Sequence, residues 1–128
     1  MTHITLGDAP LSLDQLRTVL GGPVTVELAP AAWADVEAGA ATVARIVAEG
    51  RTVYGVNTGF GLLANTSIAR GDLETLQRNL VLSHACGVGP LLSPGVTRLM
   101  MVLKIAGLSR GAAGGRREYL VGEFELGG

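Results

Sequence analysis

Cysteine is almost missing from this chain: one residue, Cys86, among 128. A lone thiol excludes an internal disulfide and fits a reducing compartment. Aromatic side chains amount to 4% and charged ones to 16%. The formal net charge is -1, and Arg116-Arg117 is too short to make a basic patch. Neither nucleic acid nor an anionic membrane is therefore expected as a partner. The most apolar run, residues 99–108, falls well short of the roughly 20 residues that span a bilayer and contains Lys104. The first residues lack a charged segment followed by an apolar one, so the expectation is a soluble, cytoplasmic protein. His3 and His84 stand far apart and no Cys/His spacing resembles a metal site, so no metal is expected. Gly87-Val88-Gly89 lacks the third glycine of a dinucleotide fingerprint and follows a helical pattern, and no Gly-Lys-Ser/Thr phosphate loop occurs.

What the chain does have is aliphatic surface. Apolar residues make up 48%, which with the low charge argues against intrinsic disorder. The length suits one domain with a modest core. The apolar fraction exceeds what so short a chain can cover by itself, so a partner or further sequence is expected.

Periodicity indicates a mainly α chain with a short strand pair. Residues 3–6 alternate weakly as a strand. Ser12-Leu13-Asp14-Gln15 has the pattern of a capping box, and Leu13, Leu16, Val19 and Leu20 form the apolar face of a short helix that Gly21-Gly22-Pro23 ends. Val24, Val26 and Leu28 alternate with Thr25 and Glu27, a strand pattern. Pro30 suits the first turn of the next helix, where Trp33, Val36, Ala40, Val43 and Val47 recur at spacings of three and four up to Gly50. Trp33 is expected to pack rather than to stack on a ligand. Asp72 is placed to cap a helix whose buried side carries Leu73, Leu76 and Leu80, with His84 on the same face. Ser93-Pro94 opens a last helix, apolar nearly all round except for Arg98 and Lys104, as suits the middle of a bundle. Glycines from Gly107 onward weaken its continuation, and residues 118–128 show no helical period.

The segment with most chemical content is Tyr54-Gly55-Val56-Asn57-Thr58-Gly59-Phe60-Gly61. Three glycines alternate with polar groups, an arrangement suited to presenting Tyr54 and Asn57. A tyrosine acts as a general base only when its pKa falls well below about 10, which exposed backbone N–H groups promote. The competing assignment is that Tyr54 packs at a strand end. His84 divides likewise between a buried, hydrogen-bonded histidine and one that faces a pocket beside the tyrosine loop. Cys86 is expected to be a small buried hydrophobe. The residues alone leave the first two choices open.

Three blocks add a family resemblance. Residues 54–61 resemble the tyrosine loop of the histidine and aromatic amino acid ammonia-lyases. Leu76-Gln77-Arg78-Asn79-Leu80-Val81-Leu82-Ser83-His84-Ala85-Cys86-Gly87-Val88-Gly89 resembles the helix and turn that follow it, and Arg98-Leu99-Met100-Met101-Val102-Leu103-Lys104-Ile105 the next core helix. Ser83-His84 is similar to the pair in the family's histidine branch. The resemblance implies an N-terminal helical domain, residues 1–117, belonging to a larger helical-bundle lyase fold, and a tail, 118–128, unlike the family. It implies elimination of ammonia from L-histidine to give trans-urocanate. In that scheme Tyr54 is the base, His84 lies near the imidazole, and Asn57 and Gly61 are substrate-side loop residues. It also implies a homotetramer with shared active sites and a self-derived methylidene-imidazolone electrophile made from Ala-Ser-Gly. That triplet does not occur in the 128 residues, so the chain alone is expected to be inactive. Two alternatives remain: a tyrosine ammonia-lyase or aminomutase fragment, or a non-catalytic helical module that binds a partner through its apolar helix.

Overall fold

The alternating residues near the N-terminus form β1 (Thr2–Leu6), and the capping-box segment forms α1 (Leu13–Gly21). The computed structural model describes residues 2–59, 61–63, 66–112, 114 and 124–126. Its further elements are β2 (Val24–Leu28), α2 (Pro30–Ala48), α3 (Leu73–His84), α4 (Pro94–Leu108) and β3 (Phe124–Leu126), with short 3-10 turns at Gly61–Leu63 and Arg70–Asp72. The chain is thus mainly helical, as its periodicity predicts. Of the tail, 118–128, only residues 124–126 are described, and Arg116-Arg117 lie outside the described residues. The described chain divides into two compact units, residues 1–41 with 91–128, and residues 42–90.

The first unit is built on the sheet. β1 and β2 run parallel, from Thr2 opposite Val24 to Leu6 opposite Leu28. Parallel neighbours need a crossover, and α1 lies in that connection. β3 adds antiparallel to the other edge of β2, with Val26 opposite Phe124. The expected strand pair is therefore a three-stranded sheet in the order β1-β2-β3. Thr25, which alternates with the apolar residues of β2, is buried at 4% exposure, whereas Glu27, two residues on and on the same face, is exposed. Ile4 and Leu6 of β1, Val24 and Val26 of β2, Val19 of α1, Val36 of α2, and Val102 and Ile105 of α4 form one apolar core, against which Trp33 packs half-buried. Trp33 thus has its expected packing role.

The capping box of α1 is complete. The Gln15 N–H donates to Ser12 Oγ at 3.2 Å and the Ser12 N–H to Gln15 Oε1 at 2.9 Å. The buried stripe of this helix is nevertheless turned from its expected line. Val19 is buried and Leu16 half-buried, whereas Leu13 and Leu20 are exposed. The reason is the contact with α4, which meets the C-terminal end of α1 on one side. There the guanidinium of Arg98, only 7% exposed, donates through Nε to the Val19 carbonyl at 3.1 Å and through Nη2 to the Leu20 carbonyl at 3.4 Å. These carbonyls belong to the last turn of α1, where the helix itself offers no donor. Gly95 permits the approach, since a Cβ at that position would run into the Leu20 carbonyl oxygen. α4 differs from a helix surrounded on all sides. It buries Arg98, Val102 and Ile105 and leaves Met100, Met101 and Leu103 exposed.

The second unit holds the glycine-rich loop and α3. Leu73, Leu76 and Leu80 are half-buried along the expected stripe, and no residue of α3 is fully buried. Asp72 and Ser93 occupy the N-cap positions of α3 and α4, yet neither side chain makes a capping bond. In α4 Pro94 stands in the first turn, and the Ser93 carbonyl accepts from the Thr97 N–H at 3.0 Å.

Candidate functional site

Tyr54 stands at the apex of a small ring of hydrogen bonds. Asn57 closes that ring. Its Oδ1 accepts the Val53 N–H at 2.9 Å and its Nδ2 donates to the Arg51 carbonyl at 2.7 Å. The backbone tightens the same turn, with the Val56 and Asn57 N–H groups donating to the Val53 carbonyl at 3.1 and 3.3 Å. Gly55, at φ +78°, lets the chain reverse immediately after the tyrosine. Tyr54 is 63% exposed while Asn57 is 5% exposed. The loop presents the phenol and buries the amide.

The following residues fold the loop back on itself. Thr58 bridges to Ser67 in antiparallel fashion, the Gly59 N–H donates to the Thr66 carbonyl at 3.1 Å, and the Ile68 N–H to the Asn57 carbonyl at 2.9 Å. Thr58 is fully buried, and its hydroxyl donates to the Gly59 carbonyl at 2.9 Å. Gly61 opens the 3-10 turn at φ +57°. Phe60 lies outside the described residues.

His84 ends α3 and is exposed. Its Nδ1 lies 2.8 Å from the Leu80 carbonyl and 3.0 Å from Ser83 Oγ. A carbonyl only accepts, so Nδ1 carries the proton in that bond, and in the neutral ring Nε2 is left as an acceptor. The Ser83 hydroxyl donates to the same carbonyl at 3.0 Å. Of the two readings left open for His84, the buried one does not hold: the ring is exposed and oriented by its own helix. Cys86 is exposed as well, contrary to the expected buried thiol, because it follows the exposed last turn of α3, where residues 81–84 already face solvent.

Tyr54, Asn57 and Gly61 therefore share one loop, and His84 terminates the helix that follows it. The bracing by Asn57 and the burial of Thr58 are not apparent from residue type. The available signal is an amide three residues beyond a tyrosine, with a glycine between. A cavity of about 410 Å³ in the first unit, lined by residues 6–11 with Ala106, Ser109 and Arg110, includes none of these four residues. Among the described residues no cluster of His, Cys, Asp or Glu is arranged to hold a metal ion, and no helix is long and apolar enough to cross a membrane.

Known proteins share both this sequence and this backbone. The chain is 53% identical over 120 residues to a histidine ammonia-lyase of Shewanella piezotolerans, covering 94% of this chain and 24% of the relative. It is 52% identical over 126 residues to a histidine ammonia-lyase of Vibrio cholerae, covering 98% of this chain and 25% of that one. The crystal structure of a histidine ammonia-lyase from Trypanosoma cruzi superposes with a TM-score of 0.81 at 36% identity, over 93% of this chain and 23% of the other. An ergothionase from Treponema denticola, an ergothioneine-degrading enzyme, superposes with a TM-score of 0.84 at 28% identity, over 92% and 24%. The chain thus spans about a quarter of the length of the relatives it matches. The sequence pattern of the aromatic amino acid lyases matches residues 11–122, which include the tyrosine loop, α3 and α4. On that match the chain belongs to the aromatic amino acid lyase family.

Proposed function

We propose that this chain supplies the proton-abstracting loop and a substrate-side histidine of a histidine ammonia-lyase, an enzyme that converts L-histidine to trans-urocanate and ammonia. One observation carries the reading: sequence identity to histidine ammonia-lyases extends over nearly the whole chain. The backbone alone does not separate substrates, since the histidine ammonia-lyase and ergothionase structures superpose on it almost equally well.

In this reading the Tyr54 oxygen takes the β-proton of the substrate. The C–H electron pair becomes the second bond between Cα and Cβ as the C–N bond breaks, and ammonia leaves. Exposure of the phenol on a braced loop supports that role. His84, holding its Nδ1 proton on the Leu80 carbonyl, offers Nε2 to an N–H of the substrate imidazole. Gly61 contributes backbone beside the same site. The family's self-derived methylidene-imidazolone supplies an electrophile for the substrate. No Ala-Ser-Gly occurs in these 128 residues, so the chain's own groups are assigned the proton and the imidazole contact alone. The complete enzyme is a cytoplasmic homotetramer with active sites shared between subunits.

The test is a chimera in which this chain replaces the matching segment of the Vibrio cholerae enzyme. It is expected to release urocanate, followed by its ultraviolet absorbance, and Tyr54→Phe abolishes that release. A chimera that deaminates L-tyrosine in preference to L-histidine, or a Tyr54→Phe variant of undiminished rate, overturns the reading. The isolated chain is expected to form no urocanate.

A further inference from the structure

Asn57 is nearly inaccessible, at 5% exposure, with both ends of its amide engaged. The orientation of that amide is fixed by its partners. The Val53 N–H requires an acceptor and the Arg51 carbonyl requires a donor, so Oδ1 and Nδ2 have one consistent assignment. Its backbone ties the same turn to the strand-like return, through the Ile68 N–H. An amide so enclosed has no face to offer a solute. It instead joins residues 51, 53 and 57 around Tyr54.

We infer that Asn57 is a positioning residue for Tyr54 and not a substrate contact: its side chain sets the turn from which the phenol projects. The inference rests on the proposed role of Tyr54 as base. The chemistry of the site explains why asparagine stands here. Aspartate keeps the acceptor for Val53 but faces the Arg51 carbonyl with a second oxygen. Alanine serves neither partner. Glutamine carries an extra methylene into an enclosed position. A base displaced by about 1 Å loses on the order of 100-fold in rate, with little change in how the ground state is bound.

Two measurements separate this inference from the functional reading. In the isolated chain, amide hydrogen exchange by NMR should find the Val53 N–H protected. Asn57→Ala should remove that protection, and Asn57→Asp should retain it, with circular dichroism confirming that both variants fold. In the chimera, Asn57→Ala should lower kcat on L-histidine about 10- to 100-fold with KM within about twofold, and Asn57→Asp should fall between it and the parent. A raised KM at unchanged kcat would assign Asn57 to the substrate and overturn the inference. So would a Val53 amide that exchanges freely in the parent chain. A parent chimera without activity sinks the functional reading alone, and the exchange data then decide whether Asn57 braces the loop.

Discussion

Replacing Arg98 by methionine tests how the two terminal helices of the first unit are joined. Methionine keeps most of the apolar stem and removes the guanidinium. The bonds lost include Nε to Val19 at 3.1 Å and Nη2 to Leu20 at 3.4 Å. A hydrogen bond from a charged donor contributes about 1.5–3 kcal/mol net. The first bond counts near that value, and the second, near the outer limit of useful geometry, for less. A cation at a helix C-terminus adds about 0.3–1 kcal/mol. Against these stands the relief of removing a charge that is only 7% exposed. The balance favours arginine by about 2 kcal/mol, because two carbonyls otherwise remain without their donor. Urea unfolding followed by circular dichroism should show the midpoint lowered by about 1 M, given a slope of roughly 2 kcal/mol/M for a chain of this size. Lys104→Met, on the exposed side of the same helix, is the control and should stay within about 0.5 kcal/mol of the parent. Equal midpoints for the two variants would refute the account, since the buried guanidinium would then contribute no more than a surface charge.

Other outcomes follow from the same structure. Ser12→Ala removes the hydroxyl that accepts the Gln15 N–H at the start of α1, leaves the backbone half of the box in place, and should cost about 1 kcal/mol by urea unfolding. Val26→Ala, in the middle of the central strand and fully buried, should cost about 2–3 kcal/mol through lost burial and the cavity left behind. Met100→Lys combined with Leu103→Glu, on the exposed side of α4, should not lower the melting temperature, since neither side chain belongs to the core.

The helices and two of the strands are legible in the sequence because their signals are local. The capping box at Ser12, the break at Gly21-Gly22-Pro23 and the apolar spacing after Pro30 each depend on neighbours a few residues away. Burial is less legible, because it depends on which faces meet. Arg98 reads as an interruption in an apolar helix, yet it is buried against the open carbonyls of a helix some 80 residues earlier in the chain. Thr25 alternates with the apolar residues of β2 just as Glu27 does, yet only Thr25 is buried. Nothing in residues 118–128 announces a partner for β2, because a three-residue strand carries too short a pattern. Tyr54 and His84 are legible as chemistry through the motifs around them. The geometry that exposes the phenol and turns the ring of His84 comes from Asn57, the Leu80 carbonyl and Ser83, whose partners no periodicity identifies.

The order of the sheet also bears on how the chain acquires its structure. β1 and β2 meet across one short helix, whereas Val24 finds Leu126 across about 100 residues. Closing so long a loop costs about 4 kcal/mol in chain entropy. The parallel pair can therefore assemble early, while the second edge of β2 waits for residues 124–126. During synthesis that edge, with the sequence Val-Thr-Val-Glu-Leu, is an open template of unpaired backbone groups. The interval before β3 arrives is when two nascent chains lying close together are most prone to join strand to strand.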